Sequence, residues 1–450
     1  MQSGEVRTVT ILFLTPYYPP ETGAPQTRIY ELAIRLQGLG HQVLVLTTFP
    51  NYPSGVVPSE WRGKLFWRGT EQGIQLYRVW SYATPNKGFY KRIFSQLSFA
   101  IFASLAGIFL PRFDALVVES PPLFDGFAGL VLSRLKKAPY VFNVADLWPD
   151  TAVQLGMLRN PRLISLAKRF ELLLYRRAAL VLAVTRGICD AICRDGIEAS
   201  KVILFRNAVD TQFFSPTKKD SELRQRFGLA ADQFVLLYAG TLGLAQQLNS
   251  VIEAAAMFQN EGNHRLVFAF AGDGAERQSL EAKARDLKLG NVKFLGSHPK
   301  QRMPYLLNMA DAVLVSLRDV PIFDHALPTK MFEAMSCEKP VLLAGKGEAE
   351  EVLMEAHAGW CARPGDALSI HDAVIRMVAD PEMIRVRGLH GRQYVSVNFD
   401  RNQRAEQLSG MLRRLTRGRR AATETGAGIS TEPTQRLEST SMGPSKHSST

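Results

Sequence analysis

The hydrophobic positions in the first half of the chain fall into short runs that alternate with helical patterns. Runs rich in Val, Ile, Leu and Phe occupy residues 8–16, 42–50, 114–120, 140–146 and 179–185. Helical stretches such as residues 28–40 separate these runs. Strand–helix alternation of this kind predicts a parallel sheet that is covered by helices on both faces.

The second half of the chain repeats the pattern. Its predicted strands are residues 233–241, 265–274, 291–297, 311–317 and 339–345. A charged stretch with Pro216, between about residues 203 and 234, is typical of a connection between domains. We therefore predict an α/β protein with two doubly wound, Rossmann-like domains that face each other across a cleft.

The predicted domain boundaries follow from these runs. The amino-terminal domain spans residues 1–205 and the carboxy-terminal domain spans residues 206–395. A helix at residues 396–417 is expected to pack back toward the first domain. Residues 418–450 lack aromatic and almost all apolar side chains. They cannot bury enough surface to become ordered, so we predict a disordered tail.

The composition is that of an ordinary globular protein, with 46% hydrophobic and 21% charged residues in 450. Four cysteines are too few for a disulfide framework, and Cys189 and Cys193 have the spacing of neither a redox pair nor a zinc site. Residues 1–9 are polar and do not resemble a secretory signal. We expect reduced thiols and a cytoplasmic location.

The formal net charge of +12 is unevenly distributed. One short segment carries a cluster of arginines, namely Arg413, Arg414, Arg417, Arg419 and Arg420. Such a segment suits an anionic membrane surface or a phosphorylated substrate. No nucleic-acid-binding motif is recognisable, so we expect no nucleic-acid partner.

Three glycine-containing turns stand where a predicted strand meets a helix, at residues 19–25, 238–246 and 270–278. Glycine there lets backbone N–H groups approach an anion at a helix amino terminus, although any tight turn can require it. The sequences GxxxxGK[ST] and, after the first strand, GxGxxG do not occur. ATP hydrolysis and hydride transfer are therefore disfavoured. Without a DxD pair or HExxH, we expect no metal site.

The segment LPTKMFEAMSCEKPVL, residues 327–342, predicts a short helix with Lys330 and Glu333 on one face. One interpretation is a solvated ion pair, which contributes only about 0.2–0.5 kcal/mol. The other is a site for an anionic ligand beside the start of the helix. The three glycine turns favour the second interpretation, with a phosphate-bearing ligand.

The ordered segments of the chain resemble glycosyltransferase family 4, the retaining sugar-nucleotide enzymes of the GT-B fold. The resemblance extends from about Thr10 to Asn398, and it is closest to the bacterial surface-polysaccharide branch that includes O-antigen N-acetyl-fucosamine transferases. It rests on the segments TPYYPPETGAPQTRIYELA, TTFPNYPSG, ESPPL, VADLWPDTAVQLG, RNAVDTQFF, YAGTLGLAQ, AGDGAE and LPTKMFEAM.

This resemblance implies that the carboxy-terminal domain holds the nucleoside diphosphate of the donor sugar. Lys330 would lie beside the diphosphate oxygens, and Glu333 would accept from ribose hydroxyls as the second glutamate of the family motif. The first glutamate of that motif is replaced by His325, so the contacts with the transferred sugar must differ. Thr241 and Gln247 stand near positions where relatives are often basic.

Further candidate residues follow from the same comparison of motifs. Backbone N–H groups near Gly240, Gly243 and Gly272, together with the side chain of Arg277, would meet the remaining phosphate charge. Gly23 matches the family's amino-terminal glycine turn. Asp146 falls near the reacting carbon, although a helix cap at the end of a strand would also explain it. Asp146, Lys330 and Glu333 are the candidate catalytic residues.

The implied function is retaining transfer of an N-acetylated amino or deoxy hexose from a nucleoside-diphosphate sugar, with UDP favoured by analogy. The implied acceptor is a polyprenyl-diphosphate-linked saccharide or an oligosaccharide in bacterial surface-polysaccharide synthesis. No cofactor or metal is expected. Two alternatives stay open: a UDP-sugar 2-epimerase, and a non-catalytic sugar-nucleotide-binding assembly protein.

Residues 89–112 lack charged side chains between Arg92 and Arg112 and are strongly apolar. They could form a buried helix, insert peripherally into a membrane, or span it, although their length is near the lower limit for a span. With the arginine cluster, this segment suggests a peripheral location on the cytoplasmic face of the inner membrane.

Overall fold

The computed structural model describes residues 8–425, except Thr22, Pro53, residues 86–88, Leu155 and Lys219. Most of the predicted tail, residues 426–450, lies outside the described residues.

The amino-terminal half forms one sheet, whose parallel strands are largely buried on both faces. Its strands are β1 (Thr10–Leu14), β2 (Gln42–Thr48), β3 (Phe66–Glu71), β4 (Ile74–Val79), β5 (Ala115–Ser120), β6 (Tyr140–Val144), β7 (Leu180–Ala183) and β8 (Val202–Leu204). They are arranged in the order β3-β4-β2-β1-β5-β6-β7-β8, and only the edge pair β3–β4 is antiparallel. The predicted parallel sheet is present, but the sequence analysis missed β3, β4 and β8.

Helices cover both faces of this sheet. They are α1 (Ala24–Gly38), α2 (Phe89–Ala106), α3 (Asp125–Lys136), α4 (Asp150–Gln154), α5 (Pro161–Arg177) and α6 (Arg186–Arg194). Phe99 of α2, Leu132 of α3 and Leu174 of α5 pack in the core on one face. Ile29 of α1 packs on the other face.

The carboxy-terminal half forms a second, all-parallel sheet of six strands in the order β11-β10-β9-β12-β13-β14. The strands are β9 (Phe234–Ala239), β10 (Leu266–Ala271), β11 (Val292–Gly296), β12 (Ala312–Ser316), β13 (Val341–Ala344) and β14 (Gly359–Ala362). Its helices are α7 (Ser221–Arg226), α8 (Asn249–Asn260), α9 (Arg277–Asp286), α10 (Met303–Met309), α11 (Thr329–Ser336), α12 (Glu348–Glu355), α13 (Ala367–Val378) and α14 (Pro381–Asn398). Two Rossmann-like domains are therefore present, which confirms the predicted fold class.

The chain crosses between the domains twice, after β8 and again after α14. The two crossings touch, because the N–H of Val209 donates to the carbonyl of Phe399 at 2.9 Å and the N–H of Arg401 donates to the carbonyl of Val209 at 3.0 Å. The Asp400 carboxylate then accepts from the N–H of Asn402 and begins the last helix, α15 (Arg401–Thr425).

Helix α15 returns to the amino-terminal domain and packs on α1, with Leu408 and Leu412 in the core beside Ile29. The predicted range of 396–417 needs correction at both ends. Helix α14 continues to Asn398, so α15 begins only at Arg401. It also continues through residues 418–425, which were predicted to be disordered, because this short stretch is rich in Ala and Arg, both good helix formers.

Within the described residues, no helix combines the length and the apolar character that a membrane crossing requires. Helix α2 instead has one buried face and one exposed apolar face along its length. Phe99 and Ala103 are buried in the core, whereas Phe94, Ile101 and Leu105 on the same helix are exposed. It is therefore not a fully buried helix either.

Candidate active site

The second and third predicted glycine turns lie side by side at the carboxyl ends of β9 and β10. The N–H of Gly240 donates to the carbonyl of Ala271 at 2.9 Å, and that of Leu242 donates to the carbonyl of Asp273 at 2.9 Å. Gly272 has a φ of +147°, and a Cβ there would lie 1.8 Å from the carbonyl oxygen of Gly240. The turns can approach each other this closely only because glycine occupies that position.

Lys330 lies at the start of α11 and reaches this pair of turns. Its Nζ donates to Oη of Tyr238 at 2.8 Å and lies 4.2 Å from the centre of the tyrosine ring. A Cβ on Gly240, whose φ is +143°, would lie 2.7 Å from the same Nζ. Burial lowers the pKa of Lys330 to about 8, and Glu333 opposes this effect. A desolvated ammonium therefore faces the glycine turn that follows β9.

Glu333 follows one turn later on the same helix. Burial raises the pKa of its carboxyl group, whereas the positive charges of Arg401, Lys300 and Lys330 oppose that shift. Arg401 and Lys300 also pair with Glu31 of α1. Glu333 is thus placed where the two domains meet, close to a network of alternating charges. Lys330 thus lies beside the paired glycine turns, and Glu333 lies near charges from both domains.

Asp146 lies on the other side of the cleft, directly after β6. Its carboxylate accepts a hydrogen bond from the hydroxyl of Thr151 at 2.6 Å, and burial raises its pKa. It lines two cavities at once. The first, which we call the amino-domain cavity, has a volume of about 600 Å³ and is lined also by Gly23, Arg92 and Thr241.

The second, the interdomain cavity, has a volume of about 420 Å³ and is lined by both domains, including Asp146, Thr185, His325 and Pro328. The exposed His325 packs against Gly187, where a Cβ would lie 2.0 Å from the imidazole Nδ1. The structure therefore places His325 in a cavity that adjoins Asp146.

Gly23 is the residue before α1, and it lines the amino-domain cavity together with Ala24 and Pro25 at the start of that helix. Arg28, one turn into the helix, also lines this cavity and pairs with the buried Glu119 at the end of β5. Asn143 donates to the same carboxylate at 2.7 Å. The buried pair fixes the guanidinium at the cavity wall.

One predicted ligand, Arg277, has other partners in this structure. The Arg277 Nε donates to Glu281 at 2.8 Å, and its guanidinium lies 3.7 Å from Asp273. These carboxylates raise the pKa of Arg277, so its charge is already engaged. Gly243 has a φ of −137°, which other residues also adopt, so the backbone conformation there does not require glycine. The side-chain oxygen of Gln247 accepts a hydrogen bond from the N–H of Asp319. It therefore stabilises the loop and supplies no positive charge for a phosphate.

One group of carboxylates in the described part of the chain has metal-like geometry: Asp150, Glu171 and Asp195. Nζ of Lys168 lies 2.8 Å from each of the three. The lysine thus occupies the position that a cation would take. Burial raises the pKa of Glu171 to about 7, against the influence of Lys168.

Neither Tyr238 nor the pairing of Arg28 was predicted from the sequence. Tyr238 looks like an ordinary aromatic residue of a buried strand, and only the structure shows its hydroxyl between Lys330 and the carbonyl of Thr241, to which it donates at 2.6 Å. A signal for the Arg28 partner was present, since Glu119 is a charged residue at the end of the apolar run 114–120.

Two family models together match most of the chain. The amino-terminal match, to the glycosyl transferase 4-like domain, covers residues 23–208, and the carboxy-terminal match, to glycosyl transferases group 1, covers residues 219–393. They correspond to the two Rossmann-like domains.

Among similar proteins, a colanic acid biosynthesis glycosyl transferase named WcaI, from Escherichia coli K12, is 25% identical over 88% of this chain and 98% of its own length. The glycosyltransferase WbjE of Pseudomonas aeruginosa is 23% identical over 51% of this chain and 58% of its own length.

Solved structures show the same fold. Sucrose-phosphate synthase from Thermosynechococcus elongatus superposes with a TM-score of 0.70 at 18% identity, over 91% of this chain and 99% of its own. Anabaena HepE in complex with UDP and glucose has a TM-score of 0.67 at 20% identity, over 90% of this chain and 99% of its own. With both family domains matched in order, the chain belongs to the family 4 glycosyltransferases of the GT-B fold.

Proposed function

We propose that this glycosyltransferase moves a hexosyl group from a UDP-sugar, with retention of anomeric configuration and without a metal ion. An N-acetylated amino or deoxy hexose is the proposed sugar. The observation that carries the proposal is the ammonium of Lys330, which is desolvated, held by the neutral Tyr238, and directed at Gly240 in the cleft. Such a group gains most from a ligand that supplies negative charge.

The leaving group is a diphosphate, so negative charge builds on its oxygens as the glycosidic bond breaks. Lys330 and the positive end of α11 would stabilise that charge because they are already oriented. Glu333, one helical turn after Lys330, would accept hydrogen bonds from the ribose hydroxyls. The complex of the similar protein HepE with UDP supports the choice of nucleotide.

The acceptor would enter through the amino-domain cavity. Its wall carries Arg92, which suits a phosphate-bearing acceptor, and Asp146 lines both this cavity and the interdomain cavity. We assign Asp146 to orienting the acceptor hydroxyl and stabilising the cationic sugar, with no covalent nucleophile. The departing diphosphate takes up the proton of the acceptor hydroxyl.

The acceptor is a polyprenyl-diphosphate-linked saccharide or an oligosaccharide, and the protein acts peripherally on the cytoplasmic face of the inner membrane. The similarity to proteins named for colanic acid and glycosyl transfer supports a role in surface-polysaccharide synthesis.

The test is incubation of the purified protein with a panel of nucleotide sugars, with and without saccharide-diphosphate lipid acceptors, and product analysis by mass spectrometry. Slow UDP release that accelerates with acceptor, in the presence of EDTA, is expected. A new epimeric UDP-sugar would instead identify a 2-epimerase, and binding without turnover across the panel would identify an assembly protein.

A further inference from the structure

Helix α2 exposes an apolar stripe on the amino-terminal domain. Its members recur three or four residues apart, so they share one face of the helix and its extension: Phe94, Leu97, Ile101, Leu105 and Ile108. The exposed fraction is 52% for Ile101 and 55% for Leu105. A solvent-facing helix surface in a globular protein is normally polar.

Helix α5 packs on the same side of the amino-terminal sheet as α2, with α3 in contact with both, and it exposes a mixed stripe. Arginines and leucines alternate along one face at helical spacing: Arg162, Leu166, Arg169, Leu173 and Arg176. All five are exposed, and Leu166 is 65% exposed. The one acidic residue of α5, Glu171, points into the core and is buried. Helix α2 carries Lys91 and Arg92 and no acid.

A groove of about 520 Å³ separates the two helices, and its wall is almost entirely carbon. Leu97 and Ile101 of α2 line one side, Leu163 and Leu166 of α5 the other, and Trp148 the end. Trp148 belongs to the same loop as Asp146. The groove is thus continuous with the loop that lines both cavities of the site.

We infer that this surface, the α2–α5 face, docks on an anionic phospholipid bilayer and takes lipid hydrocarbon into the groove. Exposed apolar side chains suit the hydrocarbon region of such a membrane. The arginines beside them, with no exposed carboxylate on either helix, suit its anionic headgroups. The purpose rests on the proposed function: docking would present a lipid-linked acceptor diphosphate to Arg92, which lines the amino-domain cavity from the same helix.

The face differs from the one that the sequence suggested. The arginine cluster at residues 413–420 belongs to α15, which packs with α1 on the opposite side of the amino-terminal sheet from α2 and α5. A flat bilayer cannot contact both sides together. The arginines of α5, and not those of α15, accompany the apolar helix.

Flotation of the purified protein with vesicles tests the inference. Vesicles of phosphatidylcholine alone and of phosphatidylcholine mixed with phosphatidylglycerol are the probes. We expect binding to the mixed vesicles and at least about tenfold weaker binding to the neutral ones. Leu163→Gln/Leu166→Gln and Arg169→Gln/Arg176→Gln should each reduce the affinity by at least about tenfold.

Arg414→Gln/Arg417→Gln is the matched control, because it removes two exposed arginines from α15. It should leave flotation unchanged. Loss of flotation in this variant alone, no flotation of the unmodified protein, or self-association through the leucines in sedimentation would each overturn the inference. UDP binding by calorimetry should be the same in all variants, so failure of the docking face and failure of the proposed function are distinguishable.

Discussion

The ammonium of Lys330 lies 2.8 Å from the hydroxyl oxygen of Tyr238 and 4.2 Å from the centre of its ring. A neutral hydrogen bond and an aromatic face stabilise the cation only in part. Burial therefore controls the proton equilibrium and lowers the pKa of Lys330 to about 8. The residue can regain its ordinary basicity only when a negative group approaches.

UDP binding should therefore depend on pH. Because the diphosphate raises the pKa of Lys330, binding takes up a proton once the free residue is neutral. Affinity should be highest below about pH 8 and should fall as the pH rises through that value. Calorimetry in buffers of different ionisation enthalpy would measure the proton uptake. Lys330→Arg, which stays charged, should remove this dependence, and a flat profile in the unmodified protein would contradict the assignment.

Replacing Lys330 by Met should stabilise the nucleotide-free protein while weakening UDP binding by at least about tenfold. A lysine with a pKa below its unfolded value of about 10.4 penalises folding at neutral pH, and the penalty disappears above that value. We expect a gain of about 1–2 kcal/mol at pH 7, reduced by partial solvation. Thermal denaturation at neutral and at strongly alkaline pH would show whether the gain vanishes as expected.

Asp146→Asn should reduce kcat by about 10²-fold with little change in UDP affinity, because Asp146 belongs to the acceptor side of the cleft. Thr151→Val should reduce kcat less than Asp146→Asn does, and it should also change the pH dependence of the rate. The Thr151 hydroxyl lowers the pKa of Asp146, so its removal should move the acidic limb of the rate profile to higher pH. An unshifted limb with unchanged kcat would exclude this contact from catalysis.

Lys168→Ala should convert the acidic cluster into a cation site. Without the ammonium, Asp150, Glu171 and Asp195 repel one another, and the free energy of unfolding should fall by about 2–4 kcal/mol. Calcium or manganese should then raise the melting temperature of the variant but not of the unmodified protein. Lys201→Ala, on the neighbouring surface, offers the control, and metal-insensitive melting of both variants would refute the prediction.

Gly272→Ala should disrupt the paired turns, since its Cβ would collide with the carbonyl of Gly240 and its φ is +147°. We expect a loss of more than about 3 kcal/mol or failure to fold. Gly243→Ala is the comparison: its φ is −137°, and the nearest atom to a Cβ is the flexible Gln246 side chain at 3.3 Å. Equal destabilisation by both changes, measured by chemical denaturation, would contradict this account.

The sequence predicted the parts of the fold that depend on regular patterns. Continuous apolar runs predicted the central parallel strands. Strands β3 and β4 carry a mixed pattern with an exposed edge, so they lack such a run and were not predicted. The end of α14 and the start of α15 depend on Phe399 and Asp400, whose backbone contacts with Val209 come from a remote part of the chain.

Local motifs likewise revealed only part of the candidate site. Lys330 and Glu333 share a helix face, so their spacing indicated their common position. The partners of Arg277, Asp273 and Glu281, each stand four residues away, so their spacing was visible in the sequence. The hydroxyl contact of Tyr238 with Lys330 joins residues 92 positions apart, which no local spacing encodes. The apolar run of α2 was visible in the sequence. The arginine–leucine stripe of α5 indicates a docking surface only once the structure shows that both helices belong to one face.

The two chain crossings at Val209 and Asp400 have a mechanical consequence. Because hydrogen bonds join them, they must bend together, and the axis of any rotation between the domains passes close to that junction. The Glu31 charge network lies at the same end of the cleft, so it would move little. Asp146 and His325 come from different domains and line one cavity, so a rotation at the junction would change the width of the space between them.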